Sequence, residues 1–426
     1  MVTDLLSYPL LSKGSLDLLA GVTVLDLTSS IAGPYGAMLL GDLGATVVKV
    51  ERPSGDDTRT WGPPFLAGES LWFISVNRNK QSLCLDVASE GGKKLLNELL
   101  DRVDVVIVNQ LKSSQEKLGL DPASVRASRP AIIHVSLTGF GLTGPNADMA
   151  CYDLIAEGYS GIMDLTGTPQ SPPQKVGTPA ADLLAGNDIA LAVMGALYRR
   201  GQTGEGASID ISLTESMTRF LAPRIVPFMG SGEVPRRSGG SDSVIAVYQA
   251  FETADDPLTL ALGNDAIWER FWAAVERPEL ARGEGRETNA SRRDHRAEIV
   301  SVIQEILRGR GREEWLARFR RARVPAGPIN RVDEVVIDEH LRARGLLFSI
   351  EKDGMTIPQV GLGIHVDNEI ATYRSAPPRL GEHSHRILAE MLGYSQEEIL
   401  ALQASGVIEQ AGPVNGKTEV EGDANV

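Results

Sequence analysis

The sequence predicts an α/β protein: a doubly wound, Rossmann-like large domain on a mostly parallel sheet, with a smaller α+β domain. Three observations carry this. Short β-rich runs alternate with helical patterns through the first half of the chain, the pattern of a parallel sheet covered on both faces. The texture changes near residue 230, where a loop rich in glycine, serine and charge begins. At 426 residues the chain is also long for one compact core.

Residues 22–27 form the first strand-like run, and residues 45–51 the second. Such short apolar runs suit strands buried on both faces. Between them, residues 31–44 read as a turn and a helix, with Pro34 in the first turn and Gly44 as the stop. Residues 82–86, 103–108 and 131–137 continue the strands, and residues 90–102 form an amphipathic helix. The binding crevice of such a fold lies beyond the carboxyl ends of its strands. Gly-Phe-Gly-Leu-Thr-Gly at 139–144 matches a dinucleotide fingerprint. Pro145 follows instead of an apolar helix, so a glycine-rich active-site loop is the better reading. Residues 207–213 alternate like a strand, with a helix from Thr214.

The predicted domains are a large one over 1–225, a small one over 226–328 and a returning part of the large one over 329–410. The small domain holds two strand-like runs in 244–262 and helices at 266–275, 293–308 and 312–323. The returning part holds a helix at 333–344, strands at 346–351 and 361–366, and a helix pair over 384–404. The polar, acidic tail 411–426 is expected to be disordered.

The net charge of −14 argues against nucleic acid as the main partner, but a small anion needs only a few local cations. No apolar run is read as long enough for a membrane span, and the first residues lack the marks of a secretory signal. Two isolated cysteines, Cys84 and Cys151, fit a reducing cytoplasm. His383 and His385 are the only paired histidines, and a closed zinc site needs about four ligands, so no metal is expected.

The chemistry centres on residues 176–186, where Asp182 sits among small residues ahead of an apolar helical run. Two roles are open. Asp182 is either an N-cap, accepting from a free amide, or a carboxylate nucleophile able to form a covalent acyl intermediate.

Several stretches in order resemble one family over about residues 18–408, the class III CoA-transferases (CaiB/BaiF), which include formyl-CoA transferase. They are residues 19–27, 32–34, 43–53, 77–80, 151–153, 176–182, 203–206, 325–328 and 376–383. The resemblance implies that Asp182 attacks an acyl-CoA thioester, passing through an aspartyl anhydride and an aspartyl-CoA thioester. It implies a role for Tyr152 in the active site, and CoA contacts from Ser30, Ile31, Arg52, Leu85, Asn109 and Lys117, the last standing where formyl-CoA transferase has an arginine. Trp72, Gly239 and Gly240 fall at acid-substrate positions. Only two of the four loop glycines of formyl-CoA transferase occur, so substrate preference at that loop does not carry over, and Trp72 replaces a tyrosine of that enzyme, which argues against formate/oxalate exchange. CoA and acyl-CoA are implied as substrates, with no permanently bound cofactor; a carboxylic acid is the acceptor, a dicarboxylic acyl-CoA such as succinyl-CoA the favoured donor, and an interlocked homodimer the assembly. The rivals are an α-methylacyl-CoA racemase and a non-catalytic CoA-ester binder. The racemases carry histidine where this chain has Tyr152, a poor base near neutral pH.

Overall fold

The structure, a computed structural model, describes residues 16–242, 244–367, 369–370 and 373–411. The lead-in before residue 16 and the expected disordered tail from residue 412 lie outside the described residues. The chain falls into two compact units. The first takes residues up to Ser160, Val176–Ala222 and the chain from Asp338; the second takes Gly161–Lys175 and Pro223–Ile337.

The first unit is built on a seven-stranded sheet. Its parallel strands are β1 (Thr23–Leu27), β2 (Thr46–Glu51), β3 (Lys80–Leu85), β4 (Val105–Val108), β5 (Ile133–Thr138) and β6 (Ala207–Ser212). They lie in the order β3-β2-β1-β4-β5-β6. A short strand, Ile408–Glu409, joins the β3 edge antiparallel, with Ile408 opposite Leu85. All four residues of β4 and all six of β5 are buried; β4 reads as an unbroken apolar run, while β5 also buries His134 and Ser136.

Helix α1 (Ala32–Asp42) links β1 to β2 and is buried along nearly its whole length. Helix α2 (Glu90–Leu100) starts at Ser89, whose side chain accepts from the Gly92 amide. Its Leu95, Leu96, Leu99 and Leu100 join Ile387, Leu388 and Ile399 of the last two helices in one core against the sheet. Helix α3 (Asp153–Ser160) precedes the long α4 (Ala180–Thr203), and α5 (Leu213–Phe220) follows β6. Helices α1 and α4 cross with their backbones in close approach. A Cβ on Gly36 would stand 2.9 Å from the Gly186 carbonyl oxygen, and one on Gly186 would stand 2.8 Å from that of Ala32.

One expectation needs correction. Helix α4 is long and apolar enough, by length and composition, to cross a bilayer. It carries Asp182 and Asp188 and buries Ala185, Ile189 and Val193, so core packing explains one apolar face, while Leu191, Met194 and Tyr198 are exposed on another.

The hairpin in 346–366 also differs from expectation: Leu347–Lys352 pairs with Met355–Val360, around a two-residue Asp353-Gly354 turn. Both turn residues have positive φ, the usual Asp-Gly hairpin turn, which sets the second strand earlier than 361–366. The expected helix at 333–344 is two short ones, Val332–Val335 and Glu339–Ala343.

The second unit has an antiparallel sheet of Tyr248–Phe251, Leu258–Ala261 and Ala326–Pro328. Helices Asp265–Ala274, Arg296–Leu307 and Arg312–Ala322 supply Trp268, Phe271, Trp272, Ile303, Trp315 and Phe319 to its core.

Candidate active site

Strands β1 and β4 are neighbours, but the chain leaves β1 toward β2 and β4 toward β5. The strand order therefore reverses between them, and open α/β sheets place their ligand crevice at such a point. A cavity of about 550 Å³ lies there, lined by Thr28, Ser29 and Ser30 after β1 and by Asn109 and Gln110 after β4. That volume is in the range of small-molecule sites. Arg52, Asp56, Gly139, Tyr152 and Asp182 also line it.

Asp182 is the third residue of α4 and is only 7% exposed. It is not the N-cap. That position is Pro179, whose ring carries no hydrogen-bond acceptor. The cap comes from α3: Asp153 Oδ1 accepts from the Ala181 amide at 2.8 Å and the Asp182 amide at 3.2 Å. The Asp153 carboxyl thus already takes the helix-terminal amides that could have favoured ionised Asp182. Burial, and then the Asp153 charge, push the Asp182 carboxyl up to about 7. Among the described residues its carboxylate has no hydrogen-bond partner. Such a group is more basic than an ordinary aspartate and is free to meet an electrophile. Ala181, Ala185 and Gly186 beside it are buried and stand outside the cavity lining, so they pack the helix and do not widen the site.

The wall after β1 is held from two sides. Ser30 lies in the left-handed region at φ 71°. Its amide donates to Asp56 Oδ1 at 3.2 Å. Asp56 Oδ2 accepts from the fully buried Lys49 Nζ at 2.8 Å, and the same ammonium donates to the Thr28 carbonyl at 2.9 Å. Burial works against the Asp56 charge, but Lys49 and the Thr58 donors overcome it and hold its carboxyl at about 2. From the β4 side, Asn109 exchanges hydrogen bonds with the Ser29 amide (3.3 Å) and carbonyl (2.9 Å). Gln110 donates to the Leu27 carbonyl at 2.9 Å.

Of the residues singled out from the sequence, Asp182, Tyr152, Ser30, Arg52 and Asn109 share this cavity. Tyr152 is largely exposed. Arg52 is exposed and paired with Asp57. Ile31 is buried at the head of α1 and Leu85 at the end of β3, both outside the lining. Lys117 is exposed on the helix Lys112–Leu118, whose last residue does line the cavity. Trp72 also stands outside the lining, edge-on to Trp61 with ring centroids 6.1 Å apart, and Trp61 is the one that lines it. Gly239 and Gly240 belong to the second unit, where the Gly239 amide donates to the Gly167 carbonyl. Gly139, from the glycine-rich loop, lines the cavity, and the next helix begins only at Asp153.

Asp153, Asp56, Lys49 and Trp61 are not found by the sequence argument. Lys49 had a signal, since a lysine inside an apolar strand run demands a buried partner. Asp153 falls in the family-like stretch 151–153, but its capping role had no signal, because a cap supplied by another helix leaves no spacing to read. His383 and His385 go separate ways: His383 Nδ1 accepts from the Ser82 amide, while His385 Nε2 meets the Gln403 side chain.

The profile of CoA-transferase family III matches residues 19–384. A succinate–glutarate CoA-transferase of Agrobacterium fabrum is 38% identical over 381 residues, covering 88% of this chain and 95% of that one. A human succinyl-CoA:glutarate CoA-transferase is 35% identical, covering 92% and 90%. A crystal structure of a CaiB/BaiF family protein from Brucella suis superposes with a TM-score of 0.78 at 38% identity, covering 88% of this chain and 99% of that one.

Proposed function

This chain belongs to CoA-transferase family III and is a CoA-transferase, and from that premise we propose which bonds it makes and which acids it exchanges. Asp182 is the nucleophile. Its carboxylate attacks the donor thioester carbonyl; the C–S bond breaks, leaving an aspartyl–acyl anhydride and CoA thiolate. The thiolate attacks the Asp182 carbonyl and releases the donor as its free acid anion. The acceptor carboxylate attacks the resulting aspartyl-CoA thioester and expels thiolate, which then takes the acceptor's acyl group and frees Asp182. No proton or electron is consumed overall.

The observation that carries this is a buried, unpartnered carboxylate of raised basicity in the switch-point cavity. Nucleophilicity rises with basicity, and splitting the exchange into covalent steps lowers each barrier. Arg52 serves the CoA phosphates, a task suited to a guanidinium. Tyr152 lines the same cavity, and its hydroxyl is the proposed donor to an anionic intermediate. The favoured acids are small dicarboxylates, with succinyl-CoA as donor, supported by the printed activities of the two relatives named above. The working assembly is an interlocked homodimer. Leu191, Met194 and Tyr198 form an exposed apolar stripe along α4 that a second copy would cover.

The test is trapping. Enzyme incubated with succinyl-CoA and hydroxylamine gains a hydroxamate at residue 182, read by peptide mass spectrometry, and Asp182→Ala transfers nothing to glutarate. Full activity in Asp182→Ala refutes the mechanism.

A further inference from the structure

The Lys49–Asp56 pair touches no part of the nucleophile, yet its position is unusual. Lys49 lies in the middle of β2 with no exposure at all, and Asp56 is 4% exposed. Burying two charges is expensive unless their geometry and remaining hydrogen bonds are satisfied. Here they are. Asp56 Oδ1 takes the Thr58 amide at 2.9 Å, the Thr58 hydroxyl at 2.8 Å and the Ser30 amide at 3.2 Å. Lys49 spends one donor on Asp56 and one on the Thr28 carbonyl. Both ends of the pair therefore grip the segment that forms the cavity wall after β1.

That segment contains a residue in a costly conformation. Ser30 has φ 71°, where a Cβ crowds the backbone and glycine is the usual occupant. Such a turn persists only where its surroundings over-determine it. The surroundings here are Asp56 on the Ser30 amide, Lys49 on the Thr28 carbonyl and Asn109 on both polar groups of Ser29. The turn delivers the chain into α1, whose Ala32 lines the cavity. Helix α1 in turn meets the Asp182 helix with its Ala32 carbonyl under Gly186.

We propose that Lys49 and Asp56 are positioning residues for CoA transfer: the buried pair holds the left-handed turn at Ser30, and through it the first turn of α1, against the helix that carries Asp182. The pair prevents the wall from relaxing to a negative φ at Ser30, which would shift the α1 start relative to the thioester. This does not depend on which acids are exchanged.

The experiment uses the full chain and four proteins: wild type, Asp56→Ala, Asp56→Ala with Ser30→Gly, and the neutral pair Lys49→Met with Asp56→Asn. The last is included because Asp56→Ala alone leaves the Lys49 charge buried without its partner. CoA affinity is measured by calorimetry with CoA itself, and kcat and KM by transfer, well below each melting midpoint. Asp56→Ala and the neutral pair are expected to lose at least tenfold in kcat/KM and in CoA affinity. Ser30→Gly is expected to recover at least threefold of the Asp56→Ala loss, because glycine takes the turn without strain. A merely structural role predicts lower melting midpoints with kcat/KM intact, and that result overturns the proposal. A loss that Ser30→Gly does not relieve also overturns it, since Asp56 then acts by touching substrate directly.

Discussion

Replacing Asp182 by asparagine should stabilise the protein, and only above acidic pH. In the folded protein the carboxyl is pushed up to about 7, from an ordinary 3.8 in the unfolded chain. Between those values the unfolded chain has released a proton that the folded chain still holds. Stability therefore falls as pH rises, by about 1.4 kcal/mol per pH unit. The favourable contribution is fully present below pH 3.8 and gone once pH has passed 7. Three units of separation make the full difference about 4 kcal/mol for this nearly buried group. Asparagine has no such proton, so the advantage of Asp182→Asn should grow from nothing near pH 4 to at most about 4 kcal/mol by pH 8. Paired thermal melts of both proteins across pH 4.0–8.5, in buffers of matched ionic strength, measure it. A stability difference that stays flat across this window, or widens toward acid, refutes the ionisation argument. The same group should impose an acid limb near pH 7 on kcat/KM of the wild type, since only the anion attacks.

Other perturbations isolate the neighbours. Asp153→Asn keeps an oxygen for the Ala181 and Asp182 amides but removes the like charge. Its kcat/KM acid limb should move to lower pH, and an unmoved limb would show that burial alone sets the titration. Gly186→Ala places a Cβ 2.7 Å from Tyr35 Cδ1 and 2.8 Å from the Ala32 carbonyl oxygen. Overpacking of this kind costs about 1–3 kcal/mol, read by denaturant titration, and kcat should fall with it because the Asp182 helix must shift. Arg52→Ala should raise KM for acyl-CoA roughly tenfold with kcat little changed, an effect that shrinks as salt screens the phosphates; a loss confined to kcat would place Arg52 at the reacting carbon instead.

The parts of the fold that could be read from sequence are those with local periodicity. Strands β1, β2, β4 and β5 stand out because each is buried on both faces and so is rich in β-branched and aliphatic residues, with only isolated polar ones such as Asp26, Lys49 and His134 between them. The edge strand Ile408–Glu409 does not, since two residues pairing with β3 across more than 300 positions leave no pattern. Within the site, Asp182 is singled out by its local sequence with its role left open, and the family likeness supplies that role and Tyr152. The residue next to Tyr152, Asp153, does the capping, and its importance depends on a contact with residues 28 and 29 positions further on. The N-cap idea fails because the helix begins at Ala180, two positions before the aspartate. Trp61 escapes notice because Trp72, its edge-on partner, carries the family position.

The glycine crossing of α1 and α4 limits how this protein could acquire new substrates. Neither Gly36 nor Gly186 can gain a methyl group without displacing backbone, so the gap between those helices is a fixed gauge. Adaptation to longer or bulkier acids must then proceed at exposed positions free to change volume, such as Leu111, Leu118 and Ala150 on the cavity wall. A mutant library that randomises those three while leaving both glycines untouched should yield altered acid preference far more often than one that includes them.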